Sequence, residues 1–336
     1  MGIHDGHNSS ACLLVDGEII SAVQEERMVN QKNKAGLPVN AVKYVLTEHP
    51  GELDFVALAS KFIHEPSWFE KKGKARFRKH DLWEKNWVDY AVNKISWPIR
   101  KNFDPYFKNR LNERKEQVAK LVKEITGSMP EIKVIDHHQC HAASAYYGSH
   151  YSKNDRVVVL TADGSGDGIS STVMVGYDGK FEPIAKTDRG GSVGEIYSLT
   201  THYLGFRAWE HEYKLMGMAP YSIPDTEVLS GLRGLMEVDD KGRFVSSINN
   251  DFAYGYLQKL YQRKRFDMIC ASLQQWFEEI MSQWIITVSN VTQITPMKLA
   301  CAGGTFMNVK GNQVISNFPV VEDMFIFPSS GDESTS

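Results

Sequence analysis

The chain has 336 residues, a net charge of −3 at pH 7, 42% hydrophobic residues and four cysteines. It has no run of about 18 apolar residues, which argues against a membrane span, and no basic leader followed by an apolar stretch, so we expect no signal peptide. The cysteines are scattered without a CxxC pair or a disulfide-framework spacing, which indicates a reducing, cytoplasmic setting. The length suffices for two domains or one bilobal unit.

The first 30 residues predict a compact three-stranded meander. An apolar start, a polar turn, a buried strand, an Asp-Gly hairpin turn and a return strand follow one another at residues 1–4, 5–10, 11–15, 16–17 and 18–24. The turn at residues 5–10 offers exposed donors and backbone N–H groups to a ligand.

The same order of strands and turns recurs later in the chain. An apolar strand, an acidic Gly-rich turn, a strand, an Asp-Gly turn and a return strand follow at residues 157–160, 163–168, 171–175, 178–179 and 181–185. One such turn alone is typical of an ordinary hairpin, but two copies predict a duplicated domain with a ligand between its halves. We therefore expect an α/β protein with the duplicated actin-like fold (ASKHA, ribonuclease H-like), its first lobe at residues 1–150 and its second at 151–336.

Gly-rich turns in such an architecture have a physical reason to contact phosphate. Their backbone N–H groups can surround an anion, while an Asp in the turn holds a metal ion or a water molecule. A further Gly-rich step follows the predicted strand at residues 296–302, where Gly303 and Gly304 open a helix and allow a planar or phosphorylated ligand close to the backbone. The amphipathic segment at residues 267–289 is predicted to be a core helix.

Residues 71–125 differ from the rest of the chain in charge. They hold 16 Lys and Arg against 7 Asp and Glu, with aromatic side chains interleaved. We expect a helical basic and aromatic insertion at about residues 62–126 of the first lobe, with a clear helical pattern at residues 111–125. A nucleic-acid surface is the alternative interpretation of the same composition.

A cluster of histidines follows the predicted strand at residues 131–135. If the chain is helical from about Gln139, His137 and His141 lie four residues apart and project from one face, as in a helix that presents two imidazoles to one metal ion. Two imidazoles do not make a site, and such side chains also satisfy backbone groups or face solvent. A third ligand has to come from elsewhere in the chain.

Ionisable residues are also concentrated between residues 209 and 221. Glu212 and Lys214 precede a Met-Gly-Met-Ala-Pro turn. The pattern is compatible with a lined pocket and equally with a solvated face of acids and bases.

Six blocks of the sequence together resemble one family, the O-carbamoyltransferases of the nodulation-factor and antibiotic-tailoring type. The blocks are GIHDGHNSSA at residues 2–11, HHQCHAASA at 137–145, DGSGDG at 163–168, EYKLMGMAPY at 212–221, AGGTFMN at 302–308 and PSSGD at 328–332. Each block alone is a weak signal, but six in this order over nearly the whole chain are specific.

The resemblance implies an actin-like domain related to the enzymes that place a threonylcarbamoyl group on tRNA. It also implies a metal held by His137, His141 and Asp332, so that Asp332 supplies the third ligand. Two His and one carboxylate suit Fe(II) and Zn about equally. The resemblance favours Fe(II), with Zn or another divalent metal as the alternative.

The resemblance further implies where ATP or carbamoyl-adenylate and the acceptor bind. The nucleotide would lie against Asp163, Gly164, Gly166, Asp167, Gly303, Gly304 and Asn308. The acceptor pocket would take His4, Asp5 and His138. The candidates for catalysis are His7, Glu212 and Lys214, with His7 or Glu212 accepting the proton of the hydroxyl.

Members of this family continue through a further domain that makes carbamoyl-adenylate from carbamoyl phosphate and ATP, and no segment here corresponds to it. We therefore expect the transferase domain alone, acting on a hydroxyl of a sugar or natural product. An actin-like kinase or ATPase and a tRNA-directed transferase or binding module are the alternatives. We expect a small-molecule acceptor as the partner rather than nucleic acid or a membrane, and we leave a homodimer open.

Overall fold

Two five-stranded sheets organise the part of the chain that the computed structural model describes, residues 1–67 and 105–336. The first sheet contains β1 (Gly2–His4), β2 (Ser10–Val15), β3 (Glu18–Gln24), β4 (Phe55–Ala59) and β5 (Glu131–Ile135). The second contains β6 (Val157–Gly166), β7 (Ile169–Tyr177), β8 (Lys180–Asp188), β11 (Met297–Ala302) and β12 (Val321–Ile326), and a small hairpin is formed by β9 (Met236–Val238) and β10 (Phe244–Ser246).

The two sheets have the same topology. Their strand orders are β3-β2-β1-β4-β5 and β8-β7-β6-β11-β12. In each sheet the first three strands form an antiparallel meander, and the last two add in parallel on the other side of the first strand. This duplication confirms the predicted actin-like α/β fold.

The Asp-Gly turns have the geometry that their sequence predicts. Asp16 and Gly17 have φ angles of 52° and 86°, and Asp178 and Gly179 have φ angles of 51° and 69°. Left-handed conformations at both central residues define the two-residue hairpin turn that matches the strand twist. The Gly-rich turn predicted at residues 163–168 is shorter than expected, because β6 continues to Gly166 and β7 starts at Ile169.

Ten α-helices lie in the described part of the chain. They are α1 (Glu25–Val29), α2 (Val39–Glu48), α3 (Pro105–Thr126), α4 (His137–Gly148), α5 (Val193–Tyr203), α6 (Glu212–Met218), α7 (Thr226–Leu235), α8 (Asn250–Tyr261), α9 (Phe266–Thr292) and α10 (Val309–Ser316). None of these helices is long and apolar enough to cross a membrane. Most of the predicted basic and aromatic insertion, at residues 68–104, lies outside the described residues, whereas α3 forms its end.

Each sheet has a hydrophobic core of its own. In the first, residues of α2 and α3 such as Val42 and Val118 pack against strand residues such as Leu58. In the second, α9 is the central helix, and its Trp276 and Trp284 are almost completely buried. The sequence prediction of α9 as a core helix is therefore confirmed.

Helix α4 connects the two lobes. It follows β5 of the first sheet, but Ala142, Ala145 and Tyr146 pack against the β6 residues Val157 and Val159 of the second sheet. The start of α4 consequently lies where the two lobes meet, which places its histidines between them.

Candidate metal centre

The start of α4 brings two imidazoles together. Asp136 is the N-cap, and its carboxylate accepts a hydrogen bond from the His138 backbone N–H at 3.1 Å. Because the helix begins at His137, His137 and His141 lie one turn apart on the same face. Their Nε2 atoms are 3.1 Å from each other, and both rings are buried. The predicted single-face arrangement is confirmed, with the helix starting two residues earlier than expected.

Two carboxylates complete a group of four ligand atoms. Asp163 of β6 lies 3.1 Å from Nε2 of His137 and 3.8 Å from Nε2 of His141. Asp332, in a short 3-10 helix at Asp332–Thr335, lies 3.6 Å and 3.7 Å from the same two atoms. The four side chains offer ligand atoms that all lie within 4.8 Å of one another.

This set of donors fits a divalent transition metal. Two imidazoles and two carboxylates are the ligand types that Fe(II) and Zn accept, and their mutual spacing requires only small adjustments to surround one ion. Asp163 joins the cluster in addition to its predicted place near the nucleotide. From the sequence, the family resemblance implied only His137, His141 and Asp332 as metal ligands.

The electrostatics of the cluster favour a bound positive charge. Burial opposes protonation of His141, but the carboxylates of Asp163 and Asp332 outweigh it and raise the pKa of His141 to about 9. Burial likewise disfavours the charged form of Asp163, yet the two imidazoles hold its pKa well below the usual range. The two carboxylates thus favour positive charge at this position.

We expect the affinity of this site for Zn(II) to rise with pH. His141 must lose its proton to coordinate a metal, and its pKa is about 9, so the apparent affinity should increase by about tenfold per pH unit for each proton released between roughly pH 6.5 and 8.5. Calorimetry in buffers of different ionisation enthalpy measures the released protons directly. An affinity that does not change over this range would contradict the arrangement.

Two predicted nucleotide-binding residues, Gly166 and Asp167, contact His137 of the metal cluster. Gly166 faces His137, and a Cβ atom there would overlap the imidazole ring. The Asp167 carboxylate accepts hydrogen bonds from the backbone N–H groups of Lys61, Phe62 and His137, at 2.8–3.0 Å. Gly166 therefore admits the ring, and Asp167 joins the loop after β4 to the start of α4.

The remaining predicted nucleotide residues surround Asp163. The Gly304 N–H donates to Oδ1 of Asp163 at 3.3 Å. Gly303 has a φ of 106° and lies so close to the Ala162 carbonyl that a Cβ atom would overlap it. Gly164 lies in β6 next to Asp163, with the Glu195 carboxylate nearby. Gly303 and Gly304 thus allow the backbone after β11 to pack directly against Ala162 and Asp163 of β6.

Asn308 is placed differently from the glycines. Its side chain caps α10 by accepting from the Gly311 N–H at 3.0 Å. It also exchanges two hydrogen bonds with the side-chain amide of Gln274, at 3.0 Å and 3.1 Å. The amide of Asn308 is thus used mainly to hold α10 against α9.

Among the predicted acceptor residues, the ring of His138 is hydrogen-bonded within the protein. Both ring nitrogens of His138 bond to protein groups, Nδ1 to the Thr161 hydroxyl at 2.7 Å and Nε2 to the Ile169 carbonyl at 3.0 Å. Burial lowers its pKa to about 3, which keeps the ring neutral. We therefore do not retain His138 in the proposed acceptor site.

His4 lies close to the metal cluster. Its Nε2 is 3.8 Å from Asp332 and 2.9 Å from the His7 carbonyl oxygen, to which it can donate. Burial lowers the pKa of His4 to about 4 despite the nearby Asp332. A neutral His4 can therefore hold the turn that carries His7, and it lies next to the Asp332 carboxylate without a hydrogen bond to it.

Asp5 forms a buried ion pair that the sequence did not reveal. Nε and Nη2 of Arg114 on α3 donate to its two carboxylate oxygens at 2.8 Å and 2.6 Å. Arg114 is 1% exposed and also donates to the backbone carbonyls of Ala59 and Ser60. No sequence signal distinguishes Arg114 from the other basic residues of its segment.

Of the three predicted catalytic residues, Glu212 and His7 contact Trp209. The Glu212 carboxylate accepts from the Trp209 N–H at 2.7 Å and from the Ser198 hydroxyl at 2.8 Å, and burial raises its pKa. The Trp209 ring contacts the His7 ring edge-on, with a centroid distance of 5.8 Å. Lys214 lies over the Phe206 ring instead. His7 and Glu212 thus both contact Trp209, His7 through the ring and Glu212 through the backbone N–H.

The fold and the cluster define a two-lobed α/β protein with a candidate metal centre between duplicated sheets. Comparison with known families identifies the group: a model described as carbamoyltransferase N-terminus matches residues 1–336, and the chain belongs to this family.

Curated relatives include an uncharacterized protein of Synechocystis sp., 29% identical over 350 residues, which cover 97% of this chain and 53% of that protein. The nodulation protein NolNO of Sinorhizobium fredii is 26% identical over 348 residues, covering 97% of this chain and 44% of its own length. The chain spans about half the length of the curated relatives that it matches.

Solved structures also resemble the chain at low identity. Component A of the (R)-2-hydroxyglutaryl-CoA dehydratase of Acidaminococcus fermentans has a TM-score of 0.48 at 14% identity, with 99% of this chain and 93% of that one covered. Full-length HypF in its phosphate- and nucleotide-bound form has a TM-score of 0.44 at 11% identity, with 100% and 54% covered.

Proposed function

We propose that this chain is a carbamoyltransferase domain that moves a carbamoyl group from carbamoyl-adenylate to a hydroxyl of a sugar or natural product. The observation that supports this most directly is the group of two buried histidines, His137 and His141, and two half-buried carboxylates, Asp163 and Asp332. A divalent cation held there would attract a ligand that carries a phosphate. Membership of the carbamoyltransferase family supplies the group that is transferred.

A divalent metal bound by these four side chains, with Fe(II) our first expectation, would polarise the carbamoyl oxygen and balance the charge of the adenylate phosphate. The protein's own part is to fix the ligands. Asp167 holds the backbone of His137, and the Gly304 N–H orients Asp163. Gly303 and Gly304 would lie near the nucleotide, because their backbone packs directly against β6 beside the metal ligand Asp163.

In the proposed reaction the acceptor oxygen attacks the carbamoyl carbon and the bond from that carbon to the phosphate oxygen breaks. AMP leaves with the electron pair of that bond, and the hydroxyl proton passes to a base. We assign the base to His7, whose ring lies against Trp209 and whose backbone carbonyl is 2.9 Å from Nε2 of His4, a neighbour of Asp332. Glu212 accepts hydrogen bonds from the Trp209 backbone N–H and the Ser198 hydroxyl, and would thereby position Trp209 against His7.

Replacing the proposed base tests this division of roles. His7→Asn is expected to lower kcat by about 10²- to 10⁴-fold with little change in KM, since a positioned base contributes roughly that factor. Glu212→Gln can still accept from the Trp209 N–H and should retain most of the kcat. Steady-state kinetics on both variants decides between them, with the exposed His49→Asn as the control. A larger loss of kcat in Glu212→Gln would assign the base to Glu212 instead.

We further propose that the full-length protein makes carbamoyl-adenylate from carbamoyl phosphate and ATP in a region outside this chain. The proposal agrees with the chain spanning about half of its relatives. The transferase step can therefore be tested separately by supplying synthetic carbamoyl-adenylate and Fe(II) with a panel of sugars and natural products. Mass spectrometry should detect acceptors that gain one carbamoyl group.

Incubating the same acceptors with ATP, and titrating the chain with tRNA, test the alternatives. Acceptors that gain a phosphoryl group from ATP, with release of ADP, would indicate a kinase. Strongly salt-dependent binding of tRNA, without modification of small molecules, would indicate a nucleic-acid module. Either result without carbamoylation would refute the proposal.

A further inference from the structure

The loop after β4 contains a serine that faces the metal cluster from behind. The Ser60 hydroxyl lies 2.9 Å from Nδ1 of His137, on the side of the ring opposite the other ligands. Ser60 is 2% exposed and has a φ of 67°. A left-handed conformation is unfavourable for a residue other than glycine and persists only where the surrounding structure fixes it. Nothing in the proposed reaction uses this residue.

Three sets of hydrogen bonds hold Ser60 in this conformation. Its own N–H donates to the Ile135 carbonyl at 2.8 Å, and its carbonyl accepts from Nη1 of Arg114 at 2.9 Å. On one side the Ala59 carbonyl is bound by the same guanidinium, and on the other side the N–H groups of Lys61 and Phe62 donate to Asp167. These bonds fix the backbone of Ser60 and therefore hold its side chain next to Nδ1 of His137.

We infer that Ser60 is a positioning residue for His137: its hydroxyl accepts the Nδ1 proton and so leaves Nε2, the nitrogen that faces Asp163 and Asp332, free to bind a divalent metal. The inference rests on the proposed metal centre and deepens it. A neutral imidazole carries one proton, and a metal-binding imidazole commonly donates it to a fixed acceptor, which sets the tautomer and the ring orientation.

The second imidazole lacks an equally close partner. Nδ1 of His141 lies 3.5 Å from the Ser334 hydroxyl, which itself donates to the Gly331 carbonyl at 2.8 Å. The contact between Ser60 and His137 is shorter, and Ser60 belongs to a loop that is anchored on both sides. We therefore expect removal of the Ser60 hydroxyl to affect the ligand geometry more than removal of the Ser334 hydroxyl.

Two substitutions separate this role from a merely structural one. Ser60→Gly removes the hydroxyl and also relieves the left-handed backbone, so that it should not weaken the fold. Ser60→Asn keeps a residue that tolerates this backbone and supplies a side-chain carbonyl oxygen that can accept the Nδ1 proton. Ser149→Gly is the matched control, because its hydroxyl bonds the Tyr146 carbonyl at the other end of α4.

The test uses Co(II) as the probe, with the visible absorption of the bound ion and competition against a chelator as readouts. We expect Ser60→Gly to bind Co(II) about 10- to 100-fold more weakly, with an altered spectrum and an undiminished melting temperature. Ser60→Asn should recover most of the affinity, and Ser149→Gly should match the unmodified chain.

Equal affinity and spectrum in Ser60→Gly and the unmodified chain would overturn the inference while leaving the metal centre intact. An Asn variant that binds no better than the Gly variant would also overturn it, because restoring the acceptor would then have no effect. If the unmodified chain binds no Co(II), the metal centre itself is refuted and the role of Ser60 with it.

Discussion

Replacing both His137 and His141 by alanine is expected to abolish retention of a divalent metal and, with it, transfer of the carbamoyl group. The double variant keeps only the carboxylates of Asp163 and Asp332. Two carboxylates without an imidazole are a poor site for Fe(II) or Zn, which are selected here by nitrogen ligands. Metal analysis after gel filtration measures the occupancy, and the carbamoyl-adenylate assay measures the transfer.

The chain offers a matched control for this variant. His150 also lies beside a carboxylate, with its Nε2 2.8 Å from Asp323, but the pair is exposed and contains only two ligands. His150→Ala should therefore leave both metal content and transfer unchanged. Full metal occupancy in the His137 and His141 double variant would refute the metal centre. Loss of metal without loss of transfer would instead separate the metal from the chemistry.

The sequence predicted the fold well because its signals are local. Asp16-Gly17 and Asp178-Gly179 determine the hairpin turns by themselves, since their two central residues must be left-handed. Each meander is formed by strands that are neighbours in sequence, and its second occurrence in the chain indicates the duplicated fold. The length of β6 was underestimated, because Gly-rich segments look like turns whether or not they continue a strand.

The candidate site was predicted less completely because it depends on contacts distant in sequence. His137 and His141 are recognisable by their spacing alone, whereas the place of Asp163 in the cluster depends on how α4 crosses β6. Gly166 permits this crossing by leaving room for the His137 ring. Ser60 gives no sequence signal at all, because its role arises only from how its loop is held.

Removing the Arg114 guanidinium is expected to be the most destabilising single change that we propose in the first lobe. Arg114 and Asp5 are buried, and Arg114 also satisfies the carbonyls of Ala59 and Ser60. Arg114→Leu would leave a buried carboxylate and two carbonyls without these partners. Breaking such a pair by removing one member typically costs about 3–5 kcal/mol. The free energy of unfolding in urea should fall by roughly that amount.

Two further variants test whether burial of the charge causes the loss of stability, one at Asp5 and one at an exposed ion pair. Adding Asp5→Asn to Arg114→Leu should recover part of the lost stability, because the buried charge is then absent. Arg233 also donates twice to a carboxylate, that of Glu279 at 2.6 Å and 2.7 Å, but both side chains are exposed. Arg233→Leu should therefore change the unfolding midpoint little. Equal losses in the Arg114 and Arg233 variants would contradict this account, since burial would then not determine the strength of the pair.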